Sequence, residues 1–257
     1  MAPIIVIISL ALIILVFIFY KRPKRNILLP EEFDKILTEH VSYYQKLDEK
    51  NKTRFVEKIK DFLGYIRIDG IDTSVDELDK LLVASSAVIP IFGFAKWKYY
   101  NLKNVLLYPT SFNREEFLNP GYEQNTLGMI GNGPMQRVMI LSKTALHAGF
   151  MNKDSTSNTG IHEFVHLLDK EDGEVDGVPE ALLNRKYNSK WITLMDENIE
   201  KIILQHSDIN SYATSNKAEF FAVASEYFFN QPRLFKEIHP ELFKLMCSIF
   251  NQDPNFL

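Results

Sequence analysis

The sequence predicts an α+β fold, mainly helical, with a small β-sheet and one transmembrane helix ahead of it. Sixteen of the seventeen residues from Ile4 to Tyr20 are apolar, interrupted only by Ser9. Beyond residue 30, apolar residues recur at helical spacing over most of the chain. Strand-like alternation is confined to a few short runs between Gly- and Asn-rich loops. At 257 residues, 46% hydrophobic and 24% charged, the chain can bury one sizeable core and is too apolar to be disordered.

As a helix, Ala2 to Tyr20 spans roughly 28 Å, close to the thickness of a bilayer interior. Lys21-Arg22-Pro23-Lys24-Arg25 follows it, where a cleavable signal would carry a small-residue cleavage site. Basic residues stay on the cytoplasmic side. The expectation is therefore a single-pass membrane protein: an anchor over 1–20 in the lipid bilayer, a basic juxtamembrane linker over 21–30 that favours anionic lipid, and a domain over 31–257 facing the cytoplasm.

Within that domain, Phe33, Ile36, Leu37, Val41, Tyr44 and Leu47 trace one amphipathic helix starting near Pro30. A second helix covers about 51–64 and ends at Gly64, and a short strand follows over 65–68. Thr73-Ser74-Val75-Asp76-Glu77 is a cap-and-acid helix start. The helix it opens, to about residue 89, is apolar on most sides and belongs in the core. Two further strands, 105–108 and 137–142, are separated by Asn119-Pro120-Gly121 and Gly131-Asn132-Gly133-Pro134. Helices near 157–170, 188–206, 216–230 and 240–251 complete the chain.

Charge and cysteine content narrow the chemistry. All 29 Lys and Arg and all 33 Asp and Glu lie after Tyr20, for a net charge of −4. That balance offers no electrostatic footprint for nucleic acid. Cys247 is the sole cysteine, so a metal site must draw on histidine and carboxylates.

His162-Glu163-Phe164-Val165-His166 is an HExxH sequence inside a predicted helix. Residues four apart share a helix face, so both imidazoles reach one ion. Glu163 is offset by about 100°, which suits it to accept a proton from a water beside the ion, the general-base role in zinc hydrolases. A catalytic zinc takes a third protein ligand. Glu171, Glu174, Glu180, Glu219, Glu226, His206 and His239 are the downstream candidates. Glu219 stands out because it opens the apolar run Glu219-Phe220-Phe221-Ala222-Val223-Ala224, where a carboxylate needs a partner. Glu226, two turns along the same face, either supports a ligand or makes a structural bond. His147 is either a further ligand or substrate contact or a satisfied structural residue.

The pairing of His162-Glu163-Phe164-Val165-His166-Leu167-Leu168-Asp169 with Tyr212-Ala213-Thr214-Ser215-Asn216-Lys217-Ala218-Glu219-Phe220-Phe221-Ala222 resembles the Mlc titration factor A family of bacterial zinc peptidases. This gluzincin-type arrangement is also similar to the catalytic domain of anthrax lethal factor. Asp176-Gly177-Val178-Pro179 and Ser225-Glu226-Tyr227-Phe228-Phe229 add to the likeness. The resemblance implies a zincin-like metallopeptidase domain with one Zn2+ held by His162, His166 and Glu219. It implies Glu163 as general base and Tyr212 as a donor to the oxyanion. A peptide or protein substrate is expected, with strand 137–142 as a sheet edge on which it could add. The alternative is a zinc-containing binding module that sequesters a cytoplasmic transcriptional repressor. The implied location, joined to the apolar segment, is the bacterial inner membrane.

Overall fold

Residues 25–110, 112–113, 125–126, 128–130 and 137–255 are described by the structure, a computed structural model. The helices are α1 (Phe33–His40), α2 (Ser42–Gln45), α3 (Glu49–Tyr65), α4 (Glu77–Ile91), α5 (Lys143–Met151), α6 (Thr159–Asp169), α7 (Asn188–Ile203), α8 (Lys217–Asn230), α9 (Pro232–Ile238) and α10 (Pro240–Phe250). The strands are β1 (Arg67–Gly70), β2 (Asn104–Tyr108), β3 (Phe112–Asn113), β4 (Asn125–Thr126), β5 (Gly128–Ile130) and β6 (Val138–Ser142). The α+β, mainly helical class is as expected.

One sheet runs in the order β1-β2-β6-β5. β1, β2 and β6 are parallel, with Val105 opposite Met139, and β5 closes the end antiparallel to β6. β3 and β4 form a separate antiparallel pair. The expected substrate edge at 137–142 is corrected by this order, because β6 is paired on both sides and, among the described residues, β5 is the outer strand.

Helix starts follow side-chain chemistry. Asp76 and Asp79 form a reciprocal capping box at α4, where each carboxylate satisfies an otherwise unpaired backbone N–H. α4 then runs through Pro90 to Ile91, slightly past its expected end, and is buried along almost its whole length. Gly160 of α6 lies against Ser86 of α4, where a Cβ would strike the Ser86 hydroxyl. That missing methyl sets how closely α6 approaches the central helix. The single helix expected over 33–47 is instead two, because Val41 is extended (φ −112°, ψ 93°). α5 had no counterpart in the periodicity; Ser142 caps it by accepting the Ala145 N–H at 3.2 Å.

The expected anchor over 1–20 lies outside the described residues. Among those described, no helix is long and apolar enough to cross a membrane. The longest, α3, has 17 residues and a charged face, and the apolar α4 has 15, about 22 Å at 1.5 Å per residue. Arg25, the described end of the basic run, is engaged by the domain: its guanidinium donates to the carbonyls of Leu63 (2.8 Å) and Ile66 (2.5 Å). The single-pass membrane location and the bilayer partner are withdrawn because no helix among the described residues is long and apolar enough to cross a membrane.

Candidate metal centre

Two helices that start on asparagines supply the site. The Asn158 side chain accepts the Ile161 N–H at 3.1 Å and opens α6. The Asn216 side chain accepts the N–H of Glu219 itself at 2.9 Å and opens α8. Both caps satisfy first-turn donors, and they put His162 and Glu219 in the first turns of their helices. An acidic Glu219 there also complements the helix dipole. On the far face of α6, Phe164 is fully buried with its ring 5.6 Å from Phe62 and 5.2 Å from Tyr99. This apolar anchor turns His162 and His166 towards α8. Ala222, fully buried one turn beyond Glu219, leaves room for the close packing.

The three predicted ligand residues come together. His162 Nε2 lies 3.1 Å from His166 Nε2 and 3.0 Å from Glu219 Oε2. His166 Nε2 lies 3.4 Å from the same carboxylate oxygen. Among the described residues, only these form a group of three or more that could hold a metal ion. Tetrahedral zinc with bonds of about 2.0–2.1 Å has ligand atoms roughly 3.4 Å apart, so the donor set and its spacing fit that ion. Two ring nitrogens facing each other call for a proton or a cation between them.

Electrostatics reflect this crowding. Burial pushes the Glu219 carboxyl up, but hydrogen bonds and charges from both rings outweigh it and hold the group far below the usual range. Burial pushes the His162 ring down, and the charge of Glu226 with bonds to Glu219 and Glu226 more than reverses this. Glu163 is buried, which raises its pKa against the lowering influence of the two rings. Tyr212 sits in a short 3-10 turn whose Asn210 side chain accepts the Tyr212 N–H. Its ring centre is 6.1 Å from that of His162, and it is 54% exposed.

Of the other predicted candidates, Glu226 reaches the site and several are engaged elsewhere. His147 pairs with buried Asp79 (2.7 Å), which also holds Lys143, so the structural reading applies. His239 pairs with Asp208 (2.6 Å). Glu180 accepts from Asn188, and Glu171 faces Asn101 at 3.5 Å. Glu226 bonds His162 Nδ1 at 2.7 Å.

Sequence reasoning assigned no role to Gly128, Asp169 or Gly177. Gly128 of β5 lies directly against the Glu163 side chain. Buried Asp169, one turn past His166, accepts the Gly177 N–H at 2.9 Å, and Gly177 abuts the Lys217 carbonyl at the start of α8. Glycine at both places was the available signal, though glycine alone does not name its neighbour.

Comparison with known families gives a match over residues 19–251 to the family described as glucose-regulated metallo-peptidase M90. Mlc titration factor A of Escherichia coli (strain K12 / DH10B) is 28% identical over 221 residues, covering 81% of this chain and 82% of that protein. An uncharacterized protein of Synechocystis is 25% identical over 237 residues, covering 88% and 86%.

Proposed function

Because the chain belongs to the glucose-regulated metallo-peptidase M90 family, we propose that it is a zinc-dependent peptidase whose working unit spans residues 31–257. The observation that carries this reading is the convergence of His162, His166 and Glu219 beside a buried Glu163. In it, His162 Nε2, His166 Nε2 and Glu219 Oε2 would hold the ion. A bound zinc supplies Lewis acidity that makes water nucleophilic near neutral pH and polarises a carbonyl.

The chain's own groups do the rest. Glu163 takes a proton from the attacking water on its carboxylate and passes it to the leaving amine. Its raised pKa suits that exchange, since a base poised nearer the working pH both takes and returns a proton readily. Tyr212 donates its hydroxyl hydrogen to the oxyanion that develops on the scissile carbonyl. The outer edge of β5 offers backbone groups on which an extended peptide can add as a strand. Gly128 of that strand puts no side chain against Glu163.

Metal analysis and hydrolysis of a mixed peptide library test the reading. One zinc per chain is expected, lost in Glu219→Ala. Glu163→Gln should retain the metal and lose cleavage by about 10²–10⁴-fold; full activity in that variant would overturn the mechanism.

The relatives' name favours one second reading: a module that binds a transcriptional regulator. It predicts regulator binding unchanged by Glu163→Gln in a protein without peptidase activity.

A further inference from the structure

We infer that Glu226 is the positioning residue of the metal centre: it fixes the orientation and proton placement of His162 and ties that ring to the start of its own helix. The inference rests on the metal-centre reading above and adds a role for a residue outside the ligand set.

Glu226 sits near the end of α8 within the buried run from Phe220 to Phe229 and is 6% exposed. A carboxylate in such surroundings needs a donor on each oxygen. It has them: Oε1 lies 2.7 Å from His162 Nδ1, and Oε2 accepts the backbone N–H of Asn158 at 2.5 Å. An ionised carboxylate only accepts hydrogen bonds, so His162 must carry a proton on Nδ1. The lone pair required of a neutral imidazole ligand then falls on Nε2, the atom that faces Glu219 and His166.

The second oxygen decides how the ring is held. Asn158 is the cap of α6, four residues before His162, and its side chain also donates to the Gly149 carbonyl. One carboxylate from α8 therefore grips both the first turn of α6 and the ligand on it. The ring cannot rotate without breaking its bond to a carboxylate whose other oxygen anchors the helix start. A negative charge here also complements the N-terminal end of the α6 dipole.

The two histidines differ in this respect. Among the described residues, His166 Nδ1 is buried with no hydrogen-bond partner. The locked ligand is His162, and its lock comes from the helix that supplies Glu219. A purely structural bond would serve the packing of α6 on α8 and leave ligand quality untouched. A positioning bond changes metal affinity itself, by about 10–100-fold when such a partner is removed.

The test measures zinc binding by the full chain in competition with a chelator, together with the His162 Nδ1–H proton resonance of the zinc-loaded protein. Wild type should show a slowly exchanging downfield Nδ1–H signal. Glu226→Gln keeps the volume but can satisfy only one of the two donors. It should bind zinc about 10–100-fold more weakly and lose or shift that resonance. Glu226→Asp keeps the charge one methylene shorter and should recover part of the affinity; it carries the comparison if Glu226→Gln does not fold. Melting of the metal-free variants separates lost packing from lost ligand quality.

Zinc affinity within about twofold of wild type in the folded variants, with only a lower melting temperature, overturns the inference and leaves the peptidase reading intact. Tight zinc binding that depends on Glu226, without cleavage of any peptide, upholds the inference and overturns the peptidase reading. A wild-type chain that binds no zinc overturns both.

Discussion

Gly128 and Glu163 are in direct contact across the sheet–helix boundary. A Cβ at residue 128 would come within 2.5 Å of Glu163 Oε1 and Cγ. β5 delivers this glycine in register with Leu141 of β6. A methyl there must displace the carboxylate. Gly128→Ala is therefore expected to lower kcat/KM at least tenfold with zinc content unchanged, since a base moved by about 1 Å loses its alignment. Stability should fall by about 1–3 kcal/mol from overpacking. Metal analysis and peptide kinetics check it; an unaltered rate would mean that Glu163 has slack.

Tyr212 is half exposed and near the His162 ring. If it donates to the oxyanion, Tyr212→Phe should reduce kcat by about 10–10³-fold with KM nearly constant. A change confined to KM would assign it to substrate binding instead.

Metal affinity should rise with pH. Despite the downward push of burial, Glu226 and Glu219 hold a proton on His162 above the ordinary imidazole range in the metal-free protein. Zinc must displace that proton. Affinity is expected to climb about tenfold per pH unit on the acid side of that raised pKa, as one displaced proton requires. Chelator competition at several pH values measures the slope, and a flat profile would contradict the proton count.

Stability of the metal-free protein should run the other way. Burial pushes Asp169 up to about 7, against the lowering effect of the Gly177 N–H. A folded pKa above the unfolded value of 3.8 means the contribution is full below that value and lost as pH rises through about 7. His162, whose pKa is also raised, acts in the same direction. Glu219, whose pKa is lowered, opposes them only as pH falls below the ordinary carboxylate range. Thermal melts should therefore show lower stability at pH 8 than at pH 5.5. Asp169→Asn should reduce that difference by up to a few kcal/mol.

Gly177 has φ +79°, and a Cβ there would meet the Lys217 carbonyl at the start of α8. Its own carbonyl accepts from Trp191 Nε1 at 2.6 Å. Gly177→Ala is expected to destabilise the fold by about 1–3 kcal/mol and, by shifting Glu219 against His166, to weaken zinc binding. Unchanged affinity in a destabilised variant would separate the loop's structural role from any influence on the ligands.

Much of this protein is local and therefore legible from the chain alone. Helical periodicity places the helices that carry His162 and Glu219 to within one or two residues, and the four-residue spacing puts His162 and His166 on one face. Glu219 was conspicuous because a carboxylate beginning an apolar helix needs a partner. Tertiary structure decided what lies between distant segments. Val41 splits one expected helix, β5 rather than β6 forms the sheet edge, His147 goes to Asp79, and Glu226 reaches His162 across 64 residues of chain. Backbone periods of 3.6 and 2 act within a few residues and show in the order of side chains. Which carboxylate, glycine or strand edge meets them depends on how whole elements pack, a property of the folded core that no single window of sequence contains.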